Sequence, residues 1–175
     1  HEETTPLNSR LPYAIVKNIG EAFLKSYKQE FGLDYTIFRF FNTYGPKQSK
    51  DFVISKFINC ALKNADIEVF GDGSQTRDFV YISDVVEANI MALSWENKIV
   101  NIATQTEVST LELLNIIKRI LKSDIDPEFL PERKYDLERF LIDNSYAKEL
   151  GWKPKVSLEE GLIETINWYR SEMGL

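Results

Sequence analysis

The stretch YTIFRFFNTYGP, residues 35–46, is the part of the sequence that most clearly predicts the fold. Its first seven residues carry β-branched and aromatic side chains on both faces, which is typical of a central parallel strand. The turn NTYGP then places Asn42 where that strand ends. Helices alternate with short strands along the rest of the chain, so the sequence predicts a layered α/β domain.

The helical segments are predicted from apolar spacing and from residues that cap helix ends. Residues 13–30 carry apolar side chains at three- and four-residue steps, which predicts an amphipathic helix in front of the central strand. Ser109 and Ser157 each precede a glutamate by three residues and predict the starts of two later helices. Asp51 is the predicted N-cap of the helix in DFVISKFINCALKN.

Composition limits the classes of function that this chain can serve. The 175 residues carry a net charge of -6 with a pI near 5.0, which argues against a general nucleic-acid binder. The single cysteine, Cys60, predicts a reducing compartment and reads as core filling in an apolar stretch. His1 is the single histidine, which leaves little for a histidine-based metal site. Without an apolar run of about 18 residues, we expect a soluble cytoplasmic protein.

Tyr13 and Lys17 form the first candidate catalytic group. Their four-residue spacing places a phenol and an ammonium one turn apart on the same helix face. A phenol is a poor base at neutral pH, and a nearby ammonium favours its ionised form. Such a tyrosine could exchange a proton with a sugar hydroxyl while a hydride leaves the same carbon. The alternative is a chance pair of surface side chains.

Three arginines and an asparagine form a second set of candidates. Arg77 lies in GDGSQTRDF, Arg133 in PERKYD, and Arg139 six residues further on. Arginines from distant segments can clamp a diphosphate through paired hydrogen bonds, although each could equally be a surface ion-pair residue. The GDG sequence is also a common tight turn, and Asn42 could either contact a ligand or hydrogen-bond within its own turn.

Five motifs follow one another in an order that is more specific than any one of them. They are PYAIVK, RFFNTYGP, GDGSQTRDFVYISDVV, RKYDLERFLIDNSYAKELGWKP and SLEEGLIETINWY. Together they resemble the extended short-chain dehydrogenase/reductase family, and within it the NAD-dependent nucleotide-sugar epimerases and dehydratases. The similarity runs from about Glu2 to the end of the chain.

The resemblance implies roles for residues at matching positions. Tyr13 matches the catalytic tyrosine and Lys17 its partner, which also binds the ribose of NAD, so both are expected to contact that cofactor. Six other positions are implied to bind the nucleotide sugar: Phe41, Asn42, Phe70, Arg77, Arg133 and Asp136. Among these, Phe70 packs on the base, Arg77 and Arg133 bind the diphosphate, and the resemblance implies no metal.

Two family features are absent from the sequence. The glycine-rich dinucleotide loop is missing, and the 12 residues before Tyr13 leave no place for the family's catalytic serine or threonine. The chain therefore resembles the C-terminal half of the family. The expected fold is the last part of a Rossmann-type doubly wound sheet plus a small mixed α/β substrate-binding lobe, without the N-terminal dinucleotide-binding half. We expect residues 1–50 to end the Rossmann-like part and residues 51–175 to form mainly the lobe.

The expected activity is UDP-sugar 4-epimerisation by transient oxidation in the intact, NAD-dependent enzyme. UDP-glucuronate decarboxylases and dTDP-glucose 4,6-dehydratases share the same skeleton, and a non-catalytic nucleotide-sugar-binding module is a further alternative. We expect the isolated chain to be inactive and to need its N-terminal half. The resemblance also implies a homodimer, with a nucleotide sugar as ligand and neither nucleic acid nor a membrane as partner.

Overall fold

The computed structural model describes residues 2–5, 12–133, 139 and 141–175. The helices are α1 Pro12–Phe31, α2 Val53–Leu62, α3 Ile82–Met91, α4 Thr110–Leu121, α5 Ser145–Glu149 and α6 Leu158–Met173, with a 3-10 turn at Ala92–Ser94. The strands are β1 Thr36–Phe40, β2 Asn42–Tyr44, β3 Ile67–Phe70, β4 Thr76–Arg77, β5 Phe79–Tyr81, β6 Lys98–Ile102, β7 Val108–Ser109 and β8 Pro127–Leu130. This alternation confirms the predicted α/β class.

The described strands pair two by two. β1 pairs with β6, β2 with β5 and β3 with β8 in parallel, while the short strands β4 and β7 pair antiparallel. The predicted central strand, β1, has helices on both faces. Arg39 bonds to Glu21 of α1, whereas its neighbour Phe38 points to the other face and packs in a cluster with Val85 and Ala88 of α3. Neighbouring strand residues point to opposite faces, so α1 and α3 cover opposite sides of the β1–β6 pair.

Two hydrophobic clusters hold these layers together. The larger cluster joins α2, α4 and α6 to β3, with Phe57, Leu113 and Leu162 at its centre. The smaller cluster joins α3 and α5 to β6 and includes Trp152. Cys60 packs against the larger cluster, as its apolar surroundings in the sequence predicted.

The caps of the helices are partly as predicted. The Ser109 hydroxyl accepts a hydrogen bond from the Glu112 backbone, and Ser157 forms a full capping box at the start of α6. The prediction for Asp51 is wrong, because α2 begins at Val53 and its N-cap residue is Phe52. The Asp51 carboxylate lies one residue too early and accepts a hydrogen bond from the Ser49 hydroxyl at 3.0 Å.

Helix α1 differs from the other long helices because none of its residues is buried. It is attached to β1 by the Arg39–Glu21 ion pair, with the Arg39 Nε 2.8 Å from a Glu21 carboxylate oxygen. Several large apolar side chains of α1 stay exposed, including Phe23 and Phe31. Within the described part of the chain, we find no helix with both the length and the apolar character needed to span a membrane.

Candidate functional site

A cavity of about 220 Å³ opens between α2, the end of β3, β4 and the start of α4. Phe70, Arg77 and Arg133, which lie far apart in the sequence, all line it. The structure thus brings together three of the six residues that the sequence predicted to bind a nucleotide sugar. One aromatic ring and two guanidinium groups can bind a planar base and a diphosphate in the same ligand.

The glycine-rich segment after β3 is a tight turn that fixes the cavity wall. Gly73 has a φ of +76°, and a Cβ there would lie 2.6 Å from the Leu111 Cγ, so glycine is required. The Asp72 carboxylate accepts hydrogen bonds from the Ser74 backbone and hydroxyl, which lowers the pKa of Asp72. These contacts support the tight turn that the GDG sequence predicted.

This turn also positions the two cavity residues at its ends. The Gln75 side chain donates a hydrogen bond to the Phe70 carbonyl at 3.0 Å and so holds the end of β3 against the turn. Arg77 is held by the pairing of β4 with β7, where it lies opposite Val108. Its guanidinium donates a hydrogen bond to the Thr76 carbonyl at 2.7 Å.

Arg133 contacts Phe70 directly. Its guanidinium carbon lies 3.7 Å from the centroid of the Phe70 ring, which is a cation–π contact. The pairing of β3 with β8 explains the approach, because Leu130 is the register partner of Phe70 and Arg133 follows three residues later. The ring and the guanidinium therefore form one wall of the cavity.

Sequence reasoning did not identify a charged pair that also lines the cavity. The Lys56 ammonium of α2 lies 2.5 Å from a Glu68 carboxylate oxygen of β3, and both side chains are partly exposed. The alternation of apolar and other residues in β3 could have predicted that Glu68 lies on the cavity side. Ile67 and Val69 are buried in the core, so Glu68 and Phe70 must share the opposite face.

Phe41 and Asn42 are not among the described residues that line this cavity. The Asn42 side chain donates a hydrogen bond to the Asp78 carbonyl at 2.9 Å, which links the start of β2 to β5. The Phe41 backbone N–H donates to the Ile102 carbonyl and extends the β1–β6 pairing. Both residues directly follow the carboxyl end of β1, where α/β sheets commonly bind ligands.

Tyr13 and Lys17 lie on the first turns of α1 and share one face. Tyr13 is 74% exposed, and the Lys17 ammonium nitrogen lies 5.2 Å from the centroid of its ring. The Glu21–Arg39 ion pair fixes α1 against the end of β1. Because Tyr13 precedes Glu21 by eight residues, it lies about 12 Å further along the helix axis. The pair is therefore a surface feature of the described chain, about two helical turns from the contact of α1 with β1.

Two acidic residues near the cavity have structural partners. Burial raises the pKa of Asp78, whose carboxylate accepts hydrogen bonds from the backbone N–H groups of Thr104 and Gln105. The Arg139 guanidinium pairs with Glu107 at 2.6 Å and lowers the pKa of that carboxyl group. Arg139 thus forms the ion pair that the sequence allowed as an alternative to phosphate binding.

The remaining predictions concern Asp136, a metal ion and NAD. Asp136 lies outside the described residues. Among the described residues, no cluster of histidine, cysteine, aspartate and glutamate side chains could hold a metal ion.

The chemistry of the described residues suits only one end of NAD, the end that carries the nicotinamide ribose. The Tyr13 hydroxyl and the Lys17 ammonium can donate hydrogen bonds to ribose hydroxyl groups. The glycine-rich turn after β3 is not a dinucleotide loop, because it forms the wall of the cavity that Phe70 and Arg77 line.

Comparison with known proteins identifies the family to which this chain is similar. Residues 1–103 match the NAD dependent epimerase/dehydratase family. A UDP-glucose 4-epimerase of Mycolicibacterium smegmatis is 37% identical over 97% of this chain and 56% of its own length. A dTDP-D-glucose 4,6-dehydratase of Mus musculus is 34% identical over 97% of this chain and 50% of its own length.

A solved structure gives the same result for the fold. The UDP-glucose 4-epimerase of Thermotoga maritima, determined with UDP-glucose, is 39% identical and superposes with a TM-score of 0.90. That match covers 93% of this chain and 54% of the other, so the chain spans about half the length of the proteins it matches. With its α/β fold and a family match over more than half of its residues, the chain belongs to the NAD-dependent epimerase/dehydratase family.

Proposed function

We propose that this chain is the C-terminal, substrate-binding portion of an NAD-dependent nucleotide-sugar epimerase that acts on UDP-sugars. The observation that carries the proposal is the cavity lined by Phe70, Arg77 and Arg133. It combines a stacking surface for a base with two cations for a diphosphate. Arg77 belongs to the β4–β7 pair, and Phe70 to β3, so both are held by strands.

The catalytic part of the proposal concerns Tyr13 and Lys17. Tyr13 would take a proton from the sugar hydroxyl at its Oη and return it when that hydroxyl forms again. Lys17, whose ammonium lies 5.2 Å from the centroid of the Tyr13 ring, would bind the ribose of NAD. When bound, NAD would accept a hydride from the sugar carbon and give it back. The exposure of both side chains is consistent with an active site that is completed by further protein.

Similarity to two UDP-glucose 4-epimerases, at 37% and 39% identity, supports an epimerase. The dTDP-glucose dehydratases, at 34–35% identity, are the alternative within the same family. At the end of β1, Asn42 would contact the diphosphate and Phe41 would line the sugar pocket. Asp136 would lie near the nucleotide ribose. We also propose a cytoplasmic homodimer, in which an N-terminal half supplies the rest of the NAD site.

The binding part of the proposal can be tested on the 175-residue chain by calorimetry with UDP. Replacing Arg77 with methionine removes one charged contact to phosphate, and we expect UDP affinity to fall by about 10- to 100-fold. Arg119→Met is the matched control, because Arg119 is an exposed arginine of α4 that pairs with Glu159. Absence of UDP binding to the unchanged chain would contradict the proposal.

The catalytic part requires the longer protein that contains this chain together with its dinucleotide-binding half. Tyr13→Phe should reduce turnover of UDP-glucose by about 10²- to 10⁴-fold and leave UDP affinity unchanged. Tyr27→Phe, on the same helix and also exposed, is the control and should retain activity. Unchanged turnover in the Tyr13 variant would remove this residue from the mechanism. A chain that binds UDP within an inactive longer protein would support the alternative, a binding module.

A further inference from the structure

The position of Arg133 conflicts with a stacked base on the same face of Phe70. The guanidinium carbon is 3.7 Å from the ring centroid, close to the spacing between stacked aromatic rings. A base cannot occupy the face of the ring that the guanidinium covers. If this face of Phe70 stacks the base, Arg133 must first move away.

The fold anchors Arg133 so that its side chain can reach two partners. The backbone is held by the pairing of Leu130 with Phe70 and by a hydrogen bond from the Gly71 N–H to the Leu130 carbonyl at 2.9 Å. Three residues later, the long arginine side chain can lie on the Phe70 ring or extend into the cavity that Arg77 also lines. Arg133 is exposed, so neither position requires the core to rearrange.

A phosphate group is the ligand feature that can draw Arg133 off the ring. An exposed cation–π contact is weak, whereas paired hydrogen bonds from a guanidinium to phosphate oxygens are considerably stronger. A neutral nucleoside brings a base but no charge, so it competes with Arg133 for the ring without offering the arginine another partner. A nucleoside diphosphate brings both groups together.

We propose that Arg133 is a specificity residue that covers the base-stacking face of Phe70 and uncovers it for ligands that carry a diphosphate. This inference rests on the proposed function and refines it. Arg133 thereby selects against free nucleosides, and it couples recognition of the phosphates to recognition of the base. The selection comes from competition for one ring face.

The experiment compares UDP with uridine as ligands for the 175-residue chain, with dissociation constants measured by NMR titration. In Arg133→Met the ring face is no longer covered by a cation, so uridine should bind about two- to fivefold more tightly. UDP should bind about tenfold more weakly, because a phosphate contact is lost. The two ligands are therefore expected to respond in opposite directions.

Arg77→Met is the matched control, since it removes a cation from the same cavity but not from the ring. It should weaken UDP binding and leave uridine binding unchanged. In the unchanged chain, UDP should also shift the Arg133 Nε–H resonance away from the upfield position caused by the ring, and uridine should shift it less.

Three results would overturn these assignments at different levels. If Arg133→Met leaves uridine affinity unchanged or weakens it while UDP still binds, Arg133 does not cover the stacking face, although the proposed function stands. An Arg77→Met variant that also binds uridine more tightly would assign the effect to overall charge. If the unchanged chain binds neither ligand, the proposed function fails, and the role of Arg133 fails with it.

Discussion

Helices α4 and α1 are both amphipathic, yet they are used in opposite ways. α4 has 12 residues and buries Leu113, Leu114 and Ile117 in the larger cluster. α1 has 20 residues and buries none of them. Its apolar side chains include Phe23, which is 61% exposed. The difference therefore lies in the neighbours that each helix has within this chain.

This contrast separates the two parts of the candidate site. The cavity that Phe70, Arg77 and Arg133 line is built on α2, α4 and β3, which share a complete core. Tyr13 and Lys17 lie on the helix whose apolar face is uncovered. Exposed apolar surface of this kind is typical of a face that another protein element covers. We therefore expect ligand binding to depend on this chain alone, and catalysis to depend on a partner for α1.

The largest expected effect compares one leucine from each helix. Leu113→Ala on α4 removes a fully buried side chain and should lower the free energy of unfolding by about 2–5 kcal/mol. Leu24→Ala on α1 removes a side chain that is 38% exposed and should change the free energy of unfolding by about 0.5 kcal/mol or less. Urea unfolding of the 175-residue chain measures both values.

Equal losses from the two leucine substitutions would break the comparison. They would mean that α1 is covered in solution, either by a second copy of the chain or by another element. The dependence of the Leu24→Ala effect on protein concentration would then identify self-association, because the stability of a dimer depends on its concentration.

A second pair of substitutions tests the packing around each helix with the same chemical change. A Cβ at Gly161 of α6 would lie 2.2 Å from the Tyr44 hydroxyl and 2.8 Å from Tyr81, whereas one at Gly20 of α1 has nothing within 4 Å. Tyr44 is buried and its hydroxyl donates a hydrogen bond to the Leu158 carbonyl, so it cannot easily yield.

Gly161→Ala should therefore destabilise the chain by about 1–3 kcal/mol, in spite of the better helix propensity of alanine. Gly20→Ala should stabilise it by up to about 1 kcal/mol, because propensity acts there without a clash. Thermal unfolding of both variants measures the difference. A destabilising Gly20→Ala substitution would show that α1 is closely packed against another surface.

The sequence predicted those features that depend on local pattern. Alternating helices and strands, and the caps at Ser109 and Ser157, follow from spacing and from hydrogen bonds over three residues. Asp51 failed as an N-cap because a shift of one residue moves the carboxylate away from the helix start, and local pattern does not fix boundaries that closely.

For the distant segments of the site, the sequence predicted which residues bind the ligand but not how these residues contact one another. The ordered motifs identified Arg77 and Arg133, and the structure places both at one cavity. The contact of Arg133 with Phe70 depends on the pairing of β3 with β8, which the sequence pattern does not reveal. The Lys56–Glu68 pair was missed for the same reason, since it joins a helix to a strand through packing.

The smallest expected effect concerns the ion pair between Arg139 and Glu107. Hydrogen bonds from Arg139, and from the Thr76 hydroxyl, hold the pKa of Glu107 below its usual value. The folded state then binds this proton less readily than the unfolded state, so the contribution to stability is present above the usual glutamate pKa. It is lost as the pH falls through the lowered value.

Glu107→Gln should therefore reduce stability slightly at pH 7 and leave it nearly unchanged at the acidic end of a pH series. Arg139 is 73% exposed at its side chain, so salt should screen the ionic part and the effect should be smaller than that of either substitution above. Glu149→Gln, at an exposed position of α5, is the control that removes one carboxylate elsewhere, and it should leave the melting temperature at pH 7 nearly unchanged. Melting temperatures across the series provide the measurement. A difference between Glu107→Gln and the unchanged chain that persists at low pH would show that Glu107 acts through its hydrogen bond with Thr76, and not through its charge.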